Sequence, residues 1–329
     1  MAKKKYYKKK PQSFYKRFQI GFLKHESDIS LVVIPIILFV ILQIFNSLEI
    51  SIEKNVEASR IITHNSELPV APYLFLTDKI TQPVTAEAAI IMDRDTKTML
   101  YEKNSRVRFS MASTTKLMTA LVATDYFNPE DILTAYTSQV EGVNVGIEVG
   151  QKFYFKDILF ALLLPSGNDI ALMISQNYPG GEKIFVEKMN QKAKDLHLVN
   201  THFVDPAGLN DDGNYTTASE LAELAVSVSK NQQISEVTAT KSIIINTADG
   251  TSTFVLNNLN RLLGLYGVTG IKTGHTEGAG DVLITATTLH DHSYIVIVMR
   301  SQDRFADTEI LLASLLNGVG VFAPKSFRD

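Results

Sequence analysis

Apolar residues are distributed along this chain of 329 residues in one long run and several shorter ones. Residues 29–48 contain no charged side chain and include an almost continuous apolar stretch from Leu31 to Leu42. A helix of this length spans about 30 Å, the thickness of the hydrocarbon core of a bilayer. We therefore predict a transmembrane helix over residues 29–48, in preference to a buried core helix or a signal peptide cleaved near Ala58.

The shorter runs predict strands at both ends of a folded domain and helices in its middle. Two pairs of apolar segments flank polar turns and predict β-hairpins: 88–92 with 98–101, and 282–286 with 294–299. A strand near residues 270–273 completes a sheet of about five antiparallel strands. Helical patterns occupy residues 116–124, 170–175, 184–196, 219–228 and 306–316. This order predicts an α+β fold in which helices flank the sheet and form a helical subdomain.

Charge is divided unevenly, and the division sets the expected orientation. The first 24 residues contain nine Lys or Arg and no acid, whereas the rest contains 23 basic and 35 acidic side chains. By the positive-inside rule we expect residues 1–28 in the cytoplasm and the segment after residue 48 outside, as a single-pass protein of the cell membrane. We expect a linker over residues 49–85, a catalytic domain over 86–318 and a tail over 319–329. Cations confined to a short tail before a bilayer-length run argue against nucleic-acid binding.

Ser113 and Lys116 are the first candidates for chemistry. Their spacing places both on one face of a helix, where the amine can reach the hydroxyl. A serine is a poor nucleophile unless a base removes its proton. The residues that follow Lys116 are almost all apolar, so the helix should be buried, and burial lowers the pKa of a lysine toward the range of a useful base.

The Ser-x-x-Lys pattern alone is weak, since it also occurs at Ser13 and Ser227. Ser13 lies in the basic tail, and no Ser-x-Asn separates Ser227 from the Lys-Thr-Gly motif, so within the expected catalytic domain only Ser113 is followed by Ser166-Gly-Asn168 and then by Lys272-Thr-Gly274. The first of these interrupts two apolar runs after Pro165, which predicts a tight buried turn, although a helix break capped by Asn168 would give the same pattern. The second predicts a strand edge, where Gly274 allows a ligand to approach the backbone. Lys272 and Thr273 can bind a substrate carboxylate there.

This ordered set resembles the motifs of the low-molecular-weight penicillin-binding proteins, the D-alanyl-D-alanine carboxypeptidase family. The similarity spans residues 87–316 and extends to segments 201–209 and 215–218. The resemblance implies a β-lactamase/DD-peptidase-like fold and a serine peptidase that removes the terminal D-alanine of peptidoglycan stem pentapeptides through an acyl-enzyme. One departure is Asp281, where the family often has an aromatic residue.

The resemblance also implies the site residues. Ser113 is the nucleophile and Lys116 the base, and Ser166, Asn168 and Lys272 move protons and orient the substrate. Thr273, Gly274, His275 and Arg261 are implied to bind substrate, His275 through its backbone N–H in the oxyanion hole. Expected ligands are the stem peptide and, as acylating inhibitors, β-lactam antibiotics; the lipid bilayer is the expected partner of the N-terminal helix. No cofactor and no metal site are expected, and a metal-binding role for His290 and His292 is disfavoured.

Three alternatives remain open in the sequence. A D,D-endopeptidase would use the same catalytic groups. A β-lactamase is disfavoured because Gly167 replaces the usual Asp of the middle motif and no Glu-x-x-Leu-Asn follows. A catalytically inactive wall-binding protein on a membrane tether is disfavoured because all five catalytic side chains are present.

Overall fold

The structure is a computed structural model that describes residues 35–47, 73–78, 80, 82–289 and 291–322. It divides into two units, residues 1–69 and 70–329. In the first unit, helix α1 covers residues 35–47, inside the predicted transmembrane segment, and the rest of that segment lies outside the described residues. Among the described residues, no helix has both the length and the hydropathy that crossing a membrane requires.

The second unit contains thirteen strands and seven helices in its described part. The strands, in chain order, are β1 Tyr73–Leu76, β2 Ala88–Asp93, β3 Met99–Lys103, β4 Arg108–Ser110, β5 Ile132–Thr134, β6 Lys152–Tyr154, β7 Tyr215–Thr217, β8 Ser242–Asn246, β9 Thr253–Asn257, β10 Val268–Thr276, β11 Gly280–Leu289, β12 His292–Ser301 and β13 Val319–Phe322. The helices are α2 Lys116–Tyr126, α3 Phe155–Leu163, α4 Asn168–Asn177, α5 Gly181–Asp195, α6 Ala218–Lys230, α7 Gln232–Thr238 and α8 Arg304–Asn317.

The main sheet has five antiparallel strands in the order β10-β11-β12-β2-β3. Both of its faces are buried, which explains why the central strands are apolar almost without interruption. Successive side chains alternate between two cores, so that Ile295 and Ile297 face one core and Val296 and Val298 face the other. The first core contains the helical subdomain, and the second contains Leu311 of α8. The predicted α+β fold with a sheet of five antiparallel strands is confirmed.

Helix α2 lies at the centre of the helical subdomain. Its first eight residues, Lys116 to Ala123, are all buried. Helices α3, α4, α5, α6 and α7 pack around it. A helix that is apolar on every side is stable only when it is surrounded in this way. The catalytic motif at its N-terminus is therefore attached to the most enclosed helix of the domain.

Four two-stranded sheets accompany the main sheet: β1 with β13, β4 with β7, β5 with β6, and β8 with β9. The first pair joins segments that the sequence placed in a linker and in a tail. In that pair Tyr73 lies opposite Phe322 and Leu76 lies opposite Val319. Strand β1 also packs against β3, so ordered structure begins before residue 86 and extends beyond residue 318.

Candidate active site

Ser113 lies in a short 3₁₀ turn, Ala112–Thr115, directly before α2. Ala112 has a left-handed backbone conformation, with φ of 47°. The residues on either side of Ser113, namely Met111, Ala112 and Thr114, are buried. Ser113 itself is only half-buried. Non-glycine residues in this backbone region are uncommon and often occur at functional sites. The turn thus presents one reactive hydroxyl at the surface of an otherwise buried element.

Lys116 is fully buried and holds its amine against the Ser113 hydroxyl. Its Nζ lies 3.0 Å from Ser113 Oγ and 2.7 Å from each of two oxygens, Asn168 Oδ1 and the Ala207 carbonyl. Burial lowers the pKa of Lys116 to about 7, against the opposing charges of Asp205 and Asp169. A neutral amine that donates its two hydrogens to these two oxygens has its lone pair available for the serine proton. This is the geometry of a general base and its nucleophile.

Ser166 and Asn168 lie in the turn between α3 and α4, as the sequence predicted. Ser166 has φ of 69° and is almost fully buried, and no group among the described residues hydrogen-bonds its Oγ. Asn168 accepts from Lys116 and donates through Nδ2 to the Glu141 carbonyl at 2.6 Å. It therefore fixes the base, and the alternative in which its side chain merely caps a helix break is wrong. The buried Ser166 hydroxyl is free to exchange a proton with a bound substrate.

Lys272, Thr273 and Gly274 lie on β10, the edge strand of the main sheet beside the 3₁₀ turn. Lys272 is buried and donates to the Thr273 carbonyl at 3.0 Å. Burial, followed by the charges of Lys116 and Arg304, lowers the pKa of Lys272 well below its ordinary value. A Cβ on Gly274 would lie 3.2 Å from the Met111 carbonyl and 3.3 Å from Ser113 N. Glycine at this position lets the strand approach the nucleophile closely, whereas the predicted approach of a ligand to the backbone stays a prediction.

Arg304 is a site residue that the sequence analysis missed. Its Nη1 donates to the Gly274 carbonyl at 2.7 Å and lies 3.3 Å from Asp281 Oδ1. Asp281 also contacts His275, with 2.7 Å between Oδ1 and Nδ1. The acid that departs from the family pattern therefore joins His275 of β10 to an arginine beside that strand. The Arg-Phe that opens the last helix gave no motif that could have been recognised.

The resemblance implied that Arg261 binds substrate, but among the described residues its side-chain contact is with α8 and not with β10. It is exposed, and its guanidinium stacks over the ring of Phe305, 4.1 Å from the centroid. Arg304 lies near the same ring, at 5.3 Å. Arg261 thus reaches the site only through the Phe305 and Arg304 pair, and its role as a direct substrate ligand stays a prediction.

Together these groups are equipped for acyl transfer. The site combines a half-buried serine, a buried amine with a pKa of about 7, a buried Ser166 hydroxyl without a hydrogen-bond partner among the described residues, and a basic end formed by Lys272 and Arg304. The serine and the buried Lys116 amine can form an acyl-enzyme. The Ser166 hydroxyl and the basic side chains can bind a carboxylate beside it.

Known proteins with similar sequences are named D-alanyl-D-alanine carboxypeptidases and endopeptidases. Residues 77–303 match the sequence model of peptidase family S11, D-alanyl-D-alanine carboxypeptidase. The chain is 34% identical to the D-alanyl-D-alanine carboxypeptidase DacF of Bacillus subtilis over 61% of its own length and 54% of the relative. It is 32% identical to a D-alanyl-D-alanine endopeptidase of Pseudomonas aeruginosa, over 76% of this chain and 83% of that one. The match thus spans about half of the Bacillus protein.

Solved structures agree with the sequence matches. The crystal structure of the Streptomyces K15 DD-transpeptidase superposes with a TM-score of 0.68 at 30% identity, covering 72% of this chain and 99% of that one. The match to the family spans more than half of the chain and includes the serine, lysine and Lys-Thr-Gly motifs described above. The chain therefore belongs to the D-alanyl-D-alanine carboxypeptidase family, peptidase family S11.

Proposed function

We propose that the protein is a serine-type D-alanyl-D-alanine carboxypeptidase that releases the terminal D-alanine from peptidoglycan stem pentapeptides. The observation that carries this proposal is the 3.0 Å contact between Lys116 Nζ and Ser113 Oγ, with the amine buried and its pKa lowered to about 7. An amine with this pKa is half neutral at neutral pH, so it can accept the serine proton there.

The reaction begins when Ser113 Oγ attacks the carbonyl carbon of the penultimate D-alanine and its proton passes to Lys116. The backbone N–H groups of Ser113 and His275 stabilise the oxyanion, a role supported by the close approach of β10 to the nucleophile turn at Gly274. The C–N bond then breaks as the leaving nitrogen takes the proton from Lys116, and the buried Ser166 hydroxyl, which has no hydrogen-bond partner among the described residues, can relay that proton. Water releases the acyl group by the same steps in reverse.

The terminal carboxylate of the substrate binds at the basic end of the site, formed by Lys272 and Arg304. Lys272 and the Thr273 hydroxyl lie on the strand, and Arg304 donates to the carbonyl of the next residue, Gly274. Charge-assisted hydrogen bonds from such groups position a carboxylate beside the scissile bond. A free terminal carboxylate is therefore recognised directly, which favours carboxypeptidase activity.

Endopeptidase activity is the second candidate because relatives from Pseudomonas aeruginosa and Escherichia coli are named D-alanyl-D-alanine endopeptidases. Incubating the protein with a stem pentapeptide and with a cross-linked dimer separates the two. We expect free D-alanine from the pentapeptide to be formed faster than monomers from the dimer. Faster release of monomers would reject the carboxypeptidase assignment in favour of an endopeptidase.

The same nucleophile accounts for acylation by β-lactams, which present a strained amide and a carboxylate to the same groups. A fluorescent penicillin should label the protein covalently and stoichiometrically. Absence of labelling over the whole pH range in which the protein is folded would contradict the proposed mechanism.

We also propose that residues 29–48 anchor the protein in the cell membrane, with residues 1–28 in the cytoplasm and the catalytic domain outside. The nine cations before the apolar run support this orientation. All residues of α1 are exposed, and its large apolar side chains are 45–64% accessible, a surface that lipid would cover. Reporters fused after Asp329 test it: alkaline phosphatase, which is active only outside, should be active. Activity confined to a cytoplasmic reporter would reverse the assignment.

A further inference from the structure

Asp205 organises a turn that no motif of the site includes. Its Oδ1 accepts hydrogen bonds from three consecutive backbone N–H groups, those of Ala207 at 2.8 Å, Gly208 at 2.6 Å and Leu209 at 3.2 Å. Its Oδ2 accepts from Asn210 N at 3.0 Å and Asn214 Nδ2 at 2.5 Å. One carboxylate thus determines the backbone path of the whole turn.

This turn lies against the N-terminal part of α2. The Ala207 carbonyl accepts from Lys116 Nζ at 2.7 Å, and the Pro206 carbonyl accepts from Thr119 Oγ1 at 2.6 Å. Gly208 has φ of 83°, and a Cβ there would lie 1.9 Å from the Ala112 carbonyl. The turn therefore contacts the helix on both sides of the base, and its position sets the position of the amine.

We propose that Asp205 is a positioning residue for the catalytic base: it shapes the turn whose Ala207 carbonyl holds the Lys116 amine, and its negative charge acts on that amine. The inference rests on the proposed function, in which Lys116 deprotonates Ser113. Asp205 does not contact the reacting atoms and acts only through the turn and its charge.

The charges around Lys116 give this role a measurable consequence. Asp205 and Asp169 oppose the effect of burial on Lys116, and Lys272 is a neighbouring basic side chain. Burial alone would raise the pKa of Asp205, but the hydrogen bonds from Asn210, Asn214, Gly208 and Ala207 outweigh burial and lower it. Asp205 is therefore ionised at neutral pH.

The charge of Asp205 also acts on another acid. Glu182, on α5, has a raised pKa because of burial and the charge of Asp205. The negative charge of Asp205 favours the protonated form of Lys116. Removing that carboxylate should therefore lower the pH at which the amine loses its proton.

The test is the pH dependence of acylation of the full-length chain by a fluorescent penicillin. For the wild type we expect the second-order rate constant to rise with pH around a midpoint near 7, the pKa of Lys116. Asp205→Asn keeps an oxygen for the turn but removes the charge. We expect its midpoint to move toward acid by about one pH unit, the size of shift that the loss of one nearby opposite charge produces. We also expect its plateau to fall about tenfold, because the amine is less well aligned.

Asp307→Asn is the matched control. Asp307 is also buried and accepts from two backbone N–H groups, Thr85 and Ala86, but it does not act on Lys116. We expect this variant to lose stability while keeping the wild-type midpoint. Asp205→Ser, which retains a hydroxyl acceptor, gives the same test if Asp205→Asn does not fold.

The possible outcomes distinguish failure of the proposed function from failure of the role of Asp205. A wild type that is never acylated rejects the proposed function itself. A wild type that is acylated with a midpoint near 7, beside an Asp205 variant with an unchanged or more alkaline midpoint, rejects the role of Asp205 alone. An acid shift in the Asp205 variant and none in Asp307→Asn supports it.

Discussion

Replacing Lys116 with methionine should abolish acylation and make the stability of the fold respond differently to pH. The pKa of Lys116 is about 7 in the folded protein and 10.5 as the ordinary value. Below about pH 7 both states are protonated, and the fold must bury an ammonium group. As the pH rises from 7 toward 10.5 the folded protein loses this proton first, so the wild type gains stability over that window.

The magnitude follows from the two pKa values. Each pH unit within the window contributes about 1.4 kcal/mol, so the wild type gains about 2.5 kcal/mol between about pH 6 and about pH 9. Lys116→Met lacks this contribution. It leaves the oxygens of Asn168 and Ala207 without their donor, at a cost of about 1–3 kcal/mol each, but that cost does not depend on pH. Lys272 is present in both proteins, and the part of its pKa shift that burial causes cancels from the comparison.

The assay is urea unfolding of both proteins at several pH values, followed by far-UV circular dichroism because the chain contains no tryptophan. The free energy of unfolding of Lys116→Met, relative to the wild type, should fall by about 2.5 kcal/mol from about pH 6 to about pH 9. A difference that stays constant with pH would mean that burial does not neutralise Lys116 near pH 7. Lys116 would then not be neutral near pH 7, and the reason for proposing it as the base would be removed.

Three further predictions concern other residues. Ser113→Ala should abolish penicillin labelling, whereas Ser227→Ala should not, because Ser227 Oγ donates to a carbonyl within α6. The reverse result on a labelled gel would show that Ser113 is not the nucleophile. Arg304→Leu should raise KM for the pentapeptide about tenfold or more, and Arg261→Leu should raise it much less, if Arg304 binds the terminal carboxylate. Equal effects of the two substitutions on KM in steady-state kinetics would refute that role of Arg304. Gly208→Ala should lower the thermal midpoint and acylation together, since its Cβ has no space; an unchanged midpoint would contradict the packing.

The sequence predicted the main sheet because its strands are long apolar runs bounded by polar turns. It did not predict the three-residue strands. Arg108 pairs with Thr217, more than one hundred residues away, and strands this short carry too few side chains for a periodic pattern. Helix α3 was noticed only as an apolar run, since a buried helix and a buried strand look alike at that length.

The candidate site was predictable where its residues are separated by fixed helical spacing or stand in ordered motifs. Ser113 and Lys116 are of this kind, and their contact is confirmed. Two contributions were not predictable. The carbonyl of Ala207 is a backbone group that any residue would supply, and Arg304 reaches β10 only because β12 ends and α8 begins where they do. Both depend on tertiary geometry, which no local pattern encodes.

The pairing of β1 with β13 determines where the catalytic domain can be attached to anything else. Chain entry at Tyr73 and chain exit at Phe322 lie opposite each other in one small sheet, which packs on β3. Strand β10, which carries the site, is at the other edge of the main sheet. Four strand spacings, about 19 Å, separate the two edges. The chain segments that adjoin Tyr73 and Phe322 are therefore joined to the domain at the sheet edge remote from the strand beside Ser113.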